Sequence, residues 1–296
     1  MCDQDSLNDM VQHWSRRQFG ALAVGLGAAA LWAPYAQALD GGLHESDVEI
    51  HTPDGVADAY FVHPKSGTHP GVLLWTDWRG LRPAFRAMAQ RLASAGYAVL
   101  VPNPFYRIRR APVLPDSASV ADEATRNTLM GLMQSLTPAV QVADAKAFVG
   151  WLDRQPAVDH HRRMGTAGYC MGGAIALRTA AEWPMRVGAA ASFHGAGLVT
   201  TDDSSPHRLA EKMHAAVLIA IAANDDAREP DAKRVLADAF AAAHLTAEIE
   251  VYAGSQHGWC PPDSPVYDEA LAEKAWSRLL ALYASALTRP VHTNGA

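Results

Sequence analysis

The run Gly168-Tyr169-Cys170-Met171-Gly172-Gly173 constrains this chain more than any other stretch of its 296 residues. A short strand-like segment, 164–169, meets a helix-like one, 174–182, with Gly-x-Cys-x-Gly-Gly at the junction. Glycines at 168 and 172 let the strand and helix backbones approach closely, and Gly173 eases the helix onto the sheet. Such a junction lifts Cys170 onto a tight turn and predicts a thiol exposed at the C-terminal edge of a parallel sheet. The amide of Met171, at the helix start, then points where an oxyanion would form. A lone cysteine is otherwise a small buried hydrophobe, so reading it as a nucleophile requires partners elsewhere in the chain.

Strand and helix patterns alternate through the rest. Segments 47–52 and 57–63 read as a hairpin about Pro53-Asp54-Gly55, and 71–76 and 97–101 as strands buried on both faces. Helical spacing runs over 84–95 and 137–155, ahead of the junction strand 163–170. Strands at 188–194, 215–222 and 248–252 follow, with helices over 231–243 and 268–287. This alternation predicts an α/β fold, a doubly wound, mostly parallel sheet flanked by helices. Residues 103–136 break the rhythm with Pro104, Pro112 and Pro115, then Arg107, Arg109 and Arg110, then a polar helix candidate. A long irregular excursion of this kind reads as a cover or binding segment over a site; the alternative is a solvated surface loop.

Residues 1–38 read as a targeting segment. Ser15-Arg16-Arg17-Gln18-Phe19 precedes a mildly apolar run at 20–32, and Ala36-Gln37-Ala38 supplies the small residues of a cleavage site. The paired arginines resemble a twin-arginine export signal. That resemblance predicts contact with the export machinery, a mature chain beginning near Leu39, one domain over 39–296, and a periplasmic or exported location. An uncleaved anchor is the alternative, but the apolar run is shorter than the roughly 18 residues that span a bilayer. The net charge of −6, with no basic cluster, argues against nucleic acid as a partner. Cys2 falls in the targeting segment, and Cys170 and Cys260 alone cannot build a disulfide framework.

A nucleophile at 170 needs an acid and a base at the same sheet edge, later in the chain. Asp225 stands just past the strand 215–222 with Asp226 beside it; the strand end favours Asp225, and the spacing to Pro230 favours Asp226. His257, in Gly254-Ser-Gln-His-Gly258, follows the strand 248–252. Other histidines are less apt: His160 and His161 precede a strand, at the wrong edge, and His194 ends a strand of its own. His257 and Cys260 make half a metal site, but no second pair at zinc spacing completes it, so neither metal nor cofactor is expected. In the chemistry these residues predict, the Cys170 thiolate attacks, and His257 takes the thiol proton and returns one to the leaving oxygen. Asp225 fixes the imidazole tautomer, and a thioester acyl-enzyme forms that water hydrolyses.

With these elements placed, the chain resembles the dienelactone hydrolase family of α/β-hydrolases over most of residues 45–288. The likeness rests on Gly-Tyr-Cys-Met-Gly-Gly (168–173), Ala-Asn-Asp (223–225) and Gly-Ser-Gln-His-Gly (254–258). It implies hydrolysis of a small-molecule ester or lactone. It also implies that Asp77, where the best-known members carry Glu, activates the thiol, and that the Trp78 amide is a second oxyanion donor beside Met171. Arg107 falls where the family grips a substrate carboxylate. A second such arginine, expected four residues after the catalytic histidine, is replaced by Pro261, which weakens the case for dienelactone itself. Two other readings compete: a small-molecule-binding protein that has kept the fold and lost turnover, and a redox protein using Cys170 with Cys260. Even in a hydrolase, those two thiols predict an inhibitory disulfide in an oxidising compartment.

Overall fold

A computed structural model describes residues 42–115 and 118–287, so the expected targeting segment lies outside the described residues. The strands are β1 (Leu43–Thr52), β2 (Gly55–Pro64), β3 (Gly71–Trp75), β4 (Ala98–Pro102), β5 (Met164–Tyr169), β6 (Val187–Phe193), β7 (Ala216–Ala222) and β8 (Ala247–Tyr252). They form one sheet in the order β1-β2-β4-β3-β5-β6-β7-β8. The hairpin β1–β2 is antiparallel, and β2 joins β4 antiparallel. From β4 to β8 every pairing is parallel. The helices are α1 (Pro83–Ser94), α2 (Glu123–Gln134), α3 (Pro138–Leu152), α4 (Met171–Glu182), α5 (Ala223–Arg228), α6 (Ala232–Ala242) and α7 (Glu269–Ala286).

The period of two in the central strands divides the core. Leu73, Trp75 and Leu100 pack on one face with Phe148 of α3, Ile175 of α4 and Phe240 of α6. Val72, Leu74, Val99 and Val101 pack on the other with Phe85 and Leu92 of α1 and Trp276 and Leu279 of α7. Both faces are thus covered by helices, which is why β3 and β4 read as unbroken apolar runs.

A third cluster sits apart and holds the chemistry. Trp78, Phe105, Val113, Leu129, Leu132, Leu136, Cys170 and Met171 are buried together. Five of them, Phe105, Val113, Leu129, Leu132 and Leu136, come from the excursion that breaks the strand–helix rhythm. Two elements depart from the sequence-based expectation. Asp225 and Asp226, expected just past the strand end, sit in the short helix α5 immediately after β7, a helix the sequence reading did not assign. A 3-10 helix, Pro206–Lys212, lies in the crossover from β6 to β7.

Candidate active site

The junction of β5 and α4 forms as its glycines require. Cys170 caps α4 with φ of +55° and ψ of −121°, a conformation a side-chain-bearing residue adopts only when its surroundings enforce it. The enforcing contacts are backbone to backbone. The Cys170 amide donates to the Phe193 carbonyl at 3.1 Å, and the Cys170 carbonyl accepts from Gly173 and Ala196. A Cβ on Gly168 would lie 1.9 Å from the Gly172 carbonyl oxygen, and one on Gly172 would lie 2.5 Å from that of Thr76. We therefore expect Gly168→Ala to destabilise the protein by at least about 3 kcal/mol, since neither backbone can yield. Gly131→Ala, on α2 with nothing within 4 Å of the added methyl, should instead gain up to about 1 kcal/mol. Urea midpoints of the two variants check the contrast, and equal midpoints would refute it.

The thiol is not exposed at the sheet edge, contrary to the expectation from the turn. Cys170 is 3% accessible because α2 and the residues before it roof the site. A roof contributed by residues some forty positions upstream leaves no mark in the junction sequence. First-turn amides of α4, Met171 among them, have no carbonyl within the helix to bond. Trp78 follows the end of β3 in a turn closed by Gly80 N donating to the Asp77 carbonyl.

His257 is buried, and its Nδ1 lies 2.7 Å from Asp225 Oδ2. Its backbone amide donates to Asn224 Oδ1 at 2.8 Å. Ser255 Oγ accepts from the Ala223 amide and donates to the Tyr252 carbonyl, clamping the histidine loop to α5. Asp226 points elsewhere, with both carboxylate oxygens on Lys233. The ambiguity in the Asp pair thus resolves in geometry: Asp225 is the carboxylate on the imidazole.

His194 is a site residue that the sequence reading passed over. The Cys170 amide also donates to His194 Nδ1 at 3.1 Å. That bond makes Nδ1 the acceptor and leaves the proton on Nε2, which has no partner among the described residues. The same ring meets the His257 ring edge-on, centroids 5.0 Å apart, and the Trp259 ring at 5.2 Å. One imidazole therefore touches both the tight β5–α4 junction, the elbow that carries Cys170, and the histidine loop. Burial pushes His194 well below the ordinary histidine range, and His257 adds to the shift, so the ring is neutral. A histidine at a strand end carries no sequence signal for this role.

Asp77 and Arg107 are engaged otherwise than the resemblance implied. Asp77 binds the buried Arg82 in a two-pronged pair, Nη1 to Oδ1 at 2.6 Å and Nη2 to Oδ2 at 2.8 Å, and accepts from the Arg79 amide. Arg82 also reaches Asp263 through Nε and Nη2. Asp77 is thereby committed to holding its own turn against the histidine loop. Arg107 places Nη1 and Nη2 on Asp144 of α3, and Nε and Nη2 on Asp54 of the β1–β2 turn. With two internal carboxylates on it, this guanidinium is not free to receive a third. Neither Asp144 nor Asp54 is near Arg107 in sequence, so the spacing alone could not reveal the saturation.

Cys260 and Cys170 are both free thiols. They belong to different clusters, Cys260 beside Tyr169 and Trp276 and Cys170 under α2. Burial pushes the Cys260 thiol well up, which suppresses its thiolate. The structure thus gives no support to the expected disulfide.

Comparison with known proteins places this arrangement in context. Residues 57–287 match the profile of the Dienelactone hydrolase family. A protein of Salmonella typhi named "Putative carboxymethylenebutenolidase" is 30% identical over 254 residues, covering 79% of this chain and 90% of that protein. A carboxymethylenebutenolidase of Rhodococcus opacus is 28% identical over 255 residues, covering 83% and 93%. Among solved structures, that of a "Putative Dienelactone Hydrolase" from Klebsiella pneumoniae subsp. pneumoniae MGH 78578 superimposes with a TM-score of 0.71 at 25% identity, covering 83% of this chain and all of that one.

Proposed function

The chain belongs to the dienelactone hydrolase family, and from that premise we propose that it is a cysteine-dependent hydrolase of small carboxylic esters or lactones. The observation that carries this reading is the meeting of three parts at one sheet edge. These are a cysteine on a strained elbow, an aspartate-bound imidazole, and a neutral histidine touching both.

The Cys170 sulfur attacks the ester carbonyl as His257 takes the thiol proton, forming a C–S bond and an oxyanion. The amides of Met171 and Trp78 receive that oxyanion. Collapse breaks the C–O bond, and the His257 proton passes to the leaving alkoxide, or to the ring oxygen of a lactone. Water, giving a proton to His257, then attacks the thioester, and the acid departs as the thiol regains its proton. Asp225 holds Nδ1–H so that Nε2 is the basic nitrogen, and it stabilises the imidazolium that forms. Activation of the thiol rests here on His257, since Asp77 is held by Arg82.

The test is direct. Protein mixed with p-nitrophenyl acetate and quenched in acid within the first turnovers should carry one acetyl group, on the peptide containing Cys170, and that adduct should vanish in His257→Ala. An acetyl group on Cys260, or hydrolysis with no adduct on Cys170, would sink the thioester mechanism.

A further inference from the structure

In the sheet, β6 lies between the strand that leads to Cys170 and the strand that leads to Asp225. Phe193, its last residue, pairs with Tyr169 of β5 on one side and with Ala220 of β7 on the other. A side chain on the next residue is therefore placed to touch both halves of the machinery. That residue is His194. Its ring centroid lies 5.9 Å from that of Tyr169, 5.0 Å from that of His257 and 5.2 Å from that of Trp259. Tyr169 immediately precedes the nucleophile, and Trp259 stands just past the base, so both motifs close on one imidazole.

The backbone marks the same residue. His194 has φ of +39°, and its bonded neighbour Cys170 has φ of +55°. Glycine takes this region freely, whereas a residue with a side chain stays there only where its contacts outweigh the strain. For His194 those contacts begin with its own amide, which donates to the Ala220 carbonyl at 2.8 Å and ties the turn to β7. They end with Nδ1, which accepts from the Cys170 amide at 3.1 Å. Two strained residues thus hold each other. The bond requires a bare Nδ1, because a proton there would face the amide proton. It acts on the backbone of the nucleophile, and the place of the sulfur follows from that backbone.

We propose that His194 is the positioning residue of this site: as a neutral acceptor it fixes the strained backbone of Cys170, and its ring backs the His257 imidazole, so that one side chain sets sulfur and base against each other. The inference rests on the hydrolase reading above, and it goes further by assigning a residue that acts through both reacting groups. Its hydrogen-bonding and packing contributions are separable. Asparagine carries Oδ1 where histidine carries Nδ1, and it tolerates the left-handed region. Phenylalanine keeps an aromatic ring in the cluster and has no acceptor to offer the amide.

The experiment sets hydrolysis of p-nitrophenyl acetate by His194→Asn and His194→Phe beside the Tm of each. Packing alone ranks the Phe variant above the Asn variant, since Asn leaves a void among buried rings. Positioning reverses that order in turnover. His194→Phe should lower kcat at least about tenfold with KM within about twofold, the signature of a displaced nucleophile in a site that still binds substrate. His194→Asn should lower kcat only about threefold, through the lost ring contact with His257, despite its lower Tm. An order of kcat that follows Tm, or a loss in His194→Phe that lies in KM, overturns the assignment. A second readout needs no variant to fold. In isotope-labelled wild type, a scalar coupling between the Cys170 amide nitrogen and His194 Nδ1 reports their hydrogen bond directly, with the ring proton on Nε2 at neutral pH. Loss of that coupling from the spectrum, or a proton found on Nδ1, overturns the proposal as well. If the wild type hydrolyses no p-nitrophenyl ester, it is the hydrolase reading that fails. Alkylation of Cys170 by iodoacetamide then decides His194 separately: a faster reaction in His194→Asn than in His194→Phe upholds positioning, and equal or reversed rates remove it.

Discussion

Cys170→Ala is expected to lower kcat/KM for p-nitrophenyl acetate by at least about ten-thousand-fold, and Asp225→Asn by a comparable factor, with Asp226→Asn within about twofold of wild type. The cysteine figure follows from losing the only nucleophile at the elbow, because no other thiol or hydroxyl in the chain occupies that strained position. The aspartate figure follows from the bond between Asp225 Oδ2 and His257 Nδ1. An amide there donates as readily as it accepts, and the imidazole turns its basic nitrogen the wrong way. Asp226 spends its carboxylate on Lys233 at the surface, so its loss touches nothing that reacts. Circular dichroism on each variant separates lost chemistry from lost fold. Turnover that survives Cys170→Ala, or that falls with Asp226→Asn and not Asp225→Asn, would mean the site works otherwise.

What could be read from the sequence was what is encoded locally. The elbow is legible because one of its glycines is required by a contact only four residues away: Gly168 faces the Gly172 carbonyl, and no side chain fits between them. Asp225 and His257 are legible because each follows a strand end, and strand ends in a parallel sheet share one edge. The register confirms the shared edge, with Ala222 opposite Tyr252. The remaining features depend on pairs far apart in the chain. The roof over Cys170 comes from Leu129 and Leu132, which in sequence belong to a polar-looking helix with a Pro-rich lead. Arg107 looked available because Asp54 and Asp144, its two partners, lie 53 and 37 residues away. His194 was set aside for ending its own strand, yet that strand end is where it meets the elbow.

Arg82→Met should cost about 3–5 kcal/mol, the penalty for stranding one member of a buried ion pair. Arg82 and Asp77 are both buried and share two hydrogen bonds, so removing the guanidinium leaves the Asp77 carboxylate with the Arg79 amide alone. In a domain of this size that loss appears as a fall in Tm of roughly 10 °C. Asp263→Asn should cost less, since it leaves the Asp77–Arg82 pair whole and Asp263 is the more exposed partner. Asp77→Asn combined with Arg82→Met should be less destabilised than Arg82→Met alone, because the uncompensated charge is gone. The pH dependence has a definite sign. Burial pushes the Asp263 carboxyl up, but the hydrogen bond and charge of Arg82 outweigh it and hold the group below the ordinary carboxylate range. A carboxyl depressed in the folded state contributes stability above its unfolded value, near 3.9, and loses it as pH falls through the folded value. Arg82→Met should therefore flatten the acid limb of the stability curve as well as lower its plateau. Catalysis should suffer beyond stability, because this network ties the turn carrying Trp78 to the loop carrying His257. At temperatures where Arg82→Met is fully folded, kcat should drop several-fold with little change in KM, since a loosened oxyanion donor weakens the transition state and not the ground state. A variant as stable as wild type, or one whose activity loss lies wholly in KM, would remove Arg82 from this positioning role.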